Sequence, residues 1–369
     1  MIIKYKIHND ENHIIINRKM DSTISKSLNK LQSDKKILFI FDKNISKDMT
    51  NQIFEQLKAN GFKIYKVELK GLKNNKSEKY LFKILDFLIE KKFTKNSIML
   101  SCGGGVIGDI TALASSLYLR GLIYCHIPTT ITAIVDSCIG GKTAINYKGI
   151  INSVGNYYHS RIVFIFDDII QKMPEREYLS GIPEILKCGL IKKNNILKIL
   201  KKHKKKILER NFAFFSDLCK ETLKTKLYFF LNDEKEKNLR LNLNFGHTFA
   251  HAIEMSLNSK NSELLRHGEA VGLGILCEIF YSNKKINKLY LMTKNILEEY
   301  SLPVDLKNLK TKKINLQKLH KKIINDVFLD KKRINQYPRY ISLKKQFMPK
   351  IKEMDDMNLL NETVYRILN

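Results

Sequence analysis

Along the first half of the chain, short β-branched and aromatic runs alternate with amphipathic stretches. Residues 36–41 (KILFIF) read as a buried strand, and a helical pattern follows through Met49, Ile53, Phe54 and Leu57. Residues 63–67 predict a second strand, ahead of a helix with Leu81, Ile84, Leu85 and Leu88 on one face. Further strands are predicted at residues 98–100, 122–125 and 162–166, and residues 2–17 predict an antiparallel hairpin around Asn9 and Asp10. Strands alternating with helices imply an α/β fold with a doubly wound parallel sheet. Beyond residue 173 strand-like runs give way to helical periodicity, which dominates to residue 300. Met173-Pro174 marks the expected boundary, because proline is tolerated at a helix start and not inside one. The expected organisation is an α/β domain over residues 1–172 and a mainly α-helical domain over residues 173–369, packed closely with a cleft between them.

Composition narrows the class. The chain has 369 residues, 44% of them hydrophobic, which is enough for two domains with buried cores. No apolar run approaches the roughly 18 residues of a membrane span, and the N-terminus lacks a signal-peptide or transit-peptide pattern. A cytoplasmic protein with no membrane partner is expected. Six cysteines stand singly, so neither a disulfide framework nor a cysteine zinc site is indicated. With 65 Lys+Arg against 37 Asp+Glu the net charge is +28, but the lysines are spread along the chain beside Asn and Ile, as drift toward AT-rich codons also produces. The densest basic run, residues 201–206, falls in a Leu/Ile-periodic stretch and reads as a solvated helix face. No nucleic-acid motif accompanies it, and no nucleic-acid partner is expected.

Candidate chemistry lies in two places. Gly103-Gly104-Gly105-Val106-Ile107-Gly108-Asp109 follows a predicted strand and opens an apolar helix. Glycines there let a backbone approach a pyrophosphate at a helix N-terminus. Thr129 and Thr130 close the next strand, and Asp136 to Thr143 follow with paired glycines and Lys142, at the strand ends where open α/β sheets bind ligands. A Walker site does not fit, since Asp136 falls where its first glycine belongs. In the second half His247 and His251 stand at i and i+4 on a helix read over residues 244–254, His267 opens another apolar helix, and Glu184 lies three residues before Lys187. A Glu with two His makes a three-ligand site with an open position, as in catalytic zinc. Spacing alone leaves open which two histidines would bind.

Taken in order, these blocks resemble the 3-dehydroquinate synthase family, sugar-phosphate cyclases related to metal-dependent polyol dehydrogenases. The resemblance rests on residues 103–109, Tyr118-Leu119-Arg120-Gly121, Pro128-Thr129-Thr130, residues 136–143, Pro174-x-Arg176-Glu177 with Ser180-Gly181-x-x-Glu184-Ile185-x-Lys187, Arg240-x-x-x-Asn244-Phe245-Gly246-His247-Thr248, and His267-Gly268-Glu269-Ala270-Val271. It is close over residues 100–275. It implies a Rossmann-like N-terminal domain with NAD across Gly103, Gly104, Gly105, Val106, Gly108 and Asp109, contacted also by Thr129, Thr130 and Lys142. It implies a divalent metal, zinc or cobalt, on Glu184, His247 and His267. Asp136, Lys142, Lys187, Lys226, Arg240, Asn244 and His251 would surround the substrate, and Arg120 would reach a phosphate from the neighbouring subunit of a homodimer.

The implied reaction is the lyase step of the shikimate pathway to aromatic amino acids that converts the small-molecule substrate 3-deoxy-D-arabino-heptulosonate 7-phosphate to 3-dehydroquinate and phosphate. Lys226, Arg240 and Asn244 favour it over cyclases whose substrates lack a carboxylate, and a phosphate pocket favours it over a polyol dehydrogenase. The sequence departs from the family pattern in two places. Ile151 stands where the family has a lysine, and no ribose-binding carboxylate appears near Lys73. A short insertion around residues 258–263 reads as a lengthened loop. Residues 330–332 (DKK) with Arg339 also resemble the family, leaving Lys345 and Lys350 as alternatives for a C-terminal lysine at the site.

Overall fold

The computed structural model describes residues 1–258, 263–307, 315–329 and 336–369. It divides into two compact units, Met1–Met173 and Pro174–Asn369.

The first unit contains β1 (Ile2–Ile7), β2 (Asp10–Asn17), α1 (Thr23–Leu28), β3 (Lys36–Asp42), α2 (Lys47–Ala59), β4 (Lys63–Leu69), α3 (Glu78–Glu90), β5 (Ile98–Gly103), α4 (Gly105–Leu117), β6 (Ile123–Pro128), β7 (Lys142–Tyr147), β8 (Ile150–Tyr157), β9 (Ile162–Phe166) and α5 (Asp167–Gln171). Seven strands form one sheet in the order β1-β2-β9-β6-β5-β3-β4. All its neighbours are parallel except β1 and β2, which form the predicted hairpin. Period-2 alternation explains why helices cover both faces: Ile37 and Phe39 of β3 pack into one apolar layer with Ile53 and Leu57, while Leu38 and Ile40 pack into the other with Ile84 and Leu88. Chain order reverses between β3 and β5, and the glycine segment leaves β5 at that switch point. The β7–β8 hairpin, paired from Lys142 to Tyr157, has no counterpart among the predicted elements, because β8 is exposed along its whole length and shows no apolar alternation.

The second unit contains α6 (Glu175–Leu179), α7 (Ile182–Ile191), α8 (Ile196–Lys202), α9 (Lys204–Leu208), α10 (Phe212–Asn232), α11 (His247–Leu257), α12 (His267–Asn283), α13 (Lys288–Glu299), α14 (Leu316–Phe328), β10 (Arg339–Leu343), β11 (Pro349–Glu353) and α15 (Met357–Leu368). Among the described residues it is mainly helical, with one antiparallel hairpin, β10–β11. The central helix is α12, buried from Gly268 to Ser282. A helix apolar on every side belongs in a core, and α12 packs on α7, α11, α13, α15 and β10. The basic run forms the exposed parts of α8 and α9, capped inward by Leu200 and Ile207. Residues 330–332 lie outside the described residues, as does most of the expected loop after residue 258.

Candidate active site

Three segments far apart in sequence bring Glu184, His247 and His267 together, with one ligand atom from each lying within 4.8 Å of the others. Each segment has a local reason to be where it is. Pro183 sits in the first turn of α7, where its missing N–H costs nothing, and Glu184 follows in the same turn. The helix read over residues 244–254 in fact begins at His247: Asn244 ends a 3-10 turn (Leu239–Asn244), and Gly246 breaks the chain with a left-handed φ of +85°. His267 is the first residue of α12, whose N-terminus is closed by Glu269 accepting from the Arg266 amide at 2.9 Å.

Close backbone contacts set the spacing. A Cβ on Gly268 would lie 1.5 Å from the Ser180 carbonyl oxygen, just ahead of α7, and one on Gly274 would lie 2.0 Å from the Gly246 carbonyl oxygen, just ahead of His247. Only glycine lets α12 approach both ligand-bearing segments this closely. Glu278, fully buried on the same helix, accepts from the amides of Thr248 and Ile341, tying the first turn of α11 and strand β10 to α12.

The electrostatics are those of a cation site. Glu184 is 1% exposed, and among the described residues neither of its oxygens has a hydrogen-bond partner of good geometry. The Lys187 ammonium lies 2.5 Å from one oxygen, and His247 and His267 Nε2 lie 3.5 and 3.4 Å from the other. Burial alone raises this carboxyl, but Lys187 and His247 hold it well below the usual carboxylate range. Burial and Lys187 lower His247. Burial also pulls His267 down, yet the nearby carboxylates of Glu184 and Glu254 outweigh that and hold it at about 10. His267 Nδ1 lies 3.0 Å from Glu254 Oε2, and His247 Nδ1 lies 3.3 Å from the Phe245 carbonyl, so both Nε2 atoms are oriented toward Glu184. Outer partners of this kind fix a ligating imidazole's tautomer. An under-satisfied buried carboxylate between two oriented imidazoles fits a divalent ion bound by one oxygen and two nitrogens.

The geometry groups two of the three histidines with Glu184. His251 lies one turn along α11, with its ring 5.4 Å from that of His247 and 6.2 Å from that of His267, beside the triad and not in it. Lys187 stands beside the triad, and the same unit buries two further cations, Lys226 on α10 and Arg240 in the 3-10 turn, all three at most 5% exposed. The helix α10 packs on both α7 and that turn. Arg240 donates to the Glu234 carbonyl at 2.5 Å, and Asn244 donates to Glu236 at 2.7 Å. Of the two C-terminal lysines considered, Lys350 lies on β11, which packs against the same turn.

In the first unit Gly103 ends β5, Gly104 caps α4 without a side-chain acceptor, and the first-turn amides at Gly105 and Val106 open the helix. A Cβ on Gly104 would meet Thr130 Cγ2 at 3.1 Å, and the Thr129 amide donates to the Gly103 carbonyl. This glycine cradle fits a dinucleotide pyrophosphate. Gly108 packs on His126, whose Nδ1 lies 2.6 Å from Ser101 Oγ in a buried network with Tyr124. Asp109 pairs with Lys76, which also donates to Asn152 at 2.5 Å. Asp136 lies in a π-helical turn (Ala133–Ser137), Lys142 opens β7 in an exposed position, and Arg120 is exposed after the left-handed Leu119. Ile151 is 54% exposed on β8.

Two residues with a part in these arrangements carry no signal in the sequence pattern, Glu254 and Glu278.

A doubly wound nucleotide-type unit and a helical unit holding a Glu-His-His centre define a class of metal-site α/β proteins. Solved structures of similar fold include 2-deoxy-scyllo-inosose synthase complexed with carbaglucose-6-phosphate, NAD+ and Co2+ (TM-score 0.85, 20% identity, all of both chains). A second is 2-epi-5-epi-valiolone synthase from Streptomyces hygroscopicus subsp. jinggangensis 5008 with NAD+ and Zn2+ bound (TM-score 0.83, 19% identity, 98% of both chains). The models of the 3-dehydroquinate synthase N-terminal and C-terminal regions match residues 66–180 and 181–332. The 3-dehydroquinate synthase of Clostridium botulinum (strain Alaska E43 / Type E3) is 33% identical over 337 residues, 89% of this chain and 91% of the relative. The chain belongs to the 3-dehydroquinate synthase family.

Proposed function

We propose that this protein converts 3-deoxy-D-arabino-heptulosonate 7-phosphate to 3-dehydroquinate and phosphate, using NAD and a divalent metal, zinc or cobalt. The observation that carries the reading is the buried, under-satisfied Glu184 carboxylate between His247 and His267. Glu184, His247 and His267 would hold the metal, which when bound supplies Lewis-acid stabilisation of a substrate alkoxide. The glycine segment Gly103–Asp109, with Thr129 and Thr130, would hold NAD, which would supply reversible hydride exchange with the carbon that bears one substrate hydroxyl.

The remaining roles belong to side chains of the chain itself. Lys226 and Arg240 offer charge-assisted hydrogen bonds to the substrate carboxylate, and Asn244 offers an amide to its hydroxyls. Lys187, held beside Glu184, and Asp136 orient the hydroxyl that loses its proton. Lys142 and Arg120 bind the phosphate, Arg120 from the partner subunit of a homodimer. His251, next to the triad, moves protons to and from the ring oxygens. The exposed apolar residues Ile150, Ile151, Val154 and Tyr157 on β8 support a self-association surface. The location proposed is the cytoplasm, where the family resemblance puts it; no described helix is long and apolar enough to cross a membrane.

The test is phosphate release from this substrate by purified protein with catalytic NAD, with chelator and with zinc or cobalt restored. Multiple turnovers without net NADH, lost on chelation and regained with metal, are expected. Stoichiometric NADH without phosphate release would overturn the reading in favour of a polyol dehydrogenase.

A further inference from the structure

We infer that Arg176 is a positioning residue for the metal site, locking the segment that leads into the Glu184 helix to the start of the His267 helix. Arg176 lies on α6, four residues before the Ser180 carbonyl that touches Gly268. Its Nε and Nη2 donate to the two oxygens of Glu269 at 2.8 Å each, and Nη2 also donates to the Leu264 carbonyl at 2.7 Å. The Glu269 carboxylate is simultaneously the cap of α12, accepting from the Arg266 amide. One guanidinium therefore joins Leu264, the cap of α12 and the first turn of α6 at one point.

Two features separate this from an ordinary surface pair. Glu269 is only 7% exposed, so the pair has one desolvated partner, and removing Arg176 leaves a buried carboxylate with its main counter-charge gone. That carboxylate then draws toward water and takes the first turn of α12 with it, two residues from His267. The second feature is the fork. Bidentate contact to both carboxylate oxygens fixes orientation as well as distance, which a lysine ammonium cannot do. The quantity at stake is the separation of Glu184 Oε1 and His267 Nε2, 3.4 Å here.

The inference rests on reading Glu184, His247 and His267 as metal ligands. Its test uses full-length Arg176→Met and Arg176→Lys proteins, with zinc affinity measured by competition against a chromophoric chelator. The visible absorption of added Co2+ and the thermal unfolding of metal-free protein are recorded alongside. Loss of zinc affinity by about 10- to 100-fold in both variants, with altered Co2+ bands, is expected, since outer-shell changes at metal sites have effects of that size. The lysine variant keeps the charge and should unfold within a few degrees of the unsubstituted protein. If Arg176→Met does not fold, Arg176→Lys decides alone. Unchanged zinc affinity and Co2+ spectrum, with any loss confined to the melting temperature, would overturn the positioning role. Failure of the unsubstituted protein to take up zinc or cobalt would instead overturn the metal reading, and this inference with it.

Discussion

Glu184 keeps its negative charge at 1% exposure, where an isolated carboxylate would neutralise itself by taking up a proton. It stays ionised because Lys187 and the two imidazoles surround it, and the same surroundings define its role. Glu184→Gln preserves shape and removes the anionic ligand. Zinc or cobalt uptake, read by equilibrium dialysis, should fall at least a hundredfold and phosphate release should cease, while far-ultraviolet circular dichroism stays that of the folded protein. A different residue adds its own contribution to acid stability. Burial pushes His126 down to about 4, against an ordinary value of 6.5 in the unfolded chain. Between these values the unfolded state binds a proton that the folded state refuses, so His126's contribution to stability is full above pH 6.5 and is lost as pH falls to 4. Up to about 3 kcal/mol is involved, since each tenfold difference in proton affinity between the folded and unfolded chain is worth about 1.4 kcal/mol. Urea unfolding at pH 7 and pH 5 should show a smaller difference for His126→Gln than for the unsubstituted protein.

At the scale of elements, α12 is the part on which the site depends. It supplies His267, and its glycines seat the segments bearing the other two ligands. Gly274→Ala puts a methyl group 2.0 Å from a backbone oxygen that cannot rotate away. Overpacking of this kind is expected to lower stability by about 2 kcal/mol, measured by urea unfolding, and to weaken metal binding by parting α11 from α12. The helices and strands themselves were mostly legible, because their signal is local. Strand β9 occupies the predicted residues 162–166, and β3 and β4 extend the predicted runs by one and two residues. The hairpin β7–β8 was not legible, since a strand with no buried face has no hydrophobic alternation to read. The start of α11 was misplaced by three residues for a related reason: the left-handed Gly246 that ends the preceding turn is selected by its packing on α12, not by the local pattern.

For the whole molecule the net charge of +28 has a kinetic consequence, whatever its origin in codon usage. A strongly cationic protein attracts an anionic substrate over distances comparable with the Debye length. Raising salt from about 50 to 300 mM should therefore lower kcat/KM for the phosphorylated heptulosonate several-fold in the phosphate-release assay, with a smaller effect on kcat. The sequence by itself determined the doubly wound sheet, the helical second half, the glycine cradle and the set of residues from which a metal site could be built. All of these follow from periodicity and from backbone geometry within a few residues. Spacing left open which histidines join Glu184; the family resemblance pointed to His247 and His267, and the tertiary structure brings those two together with it. His247 and His251 are equivalent by helical spacing, and what separates them is the approach of α12, which sets His267 against Glu254 of α11 and brings it together with His247 and Glu184. Coordination is a through-space condition on three segments spread over more than eighty residues. It is met by glycine contacts and buried carboxylates whose partners no local pattern names.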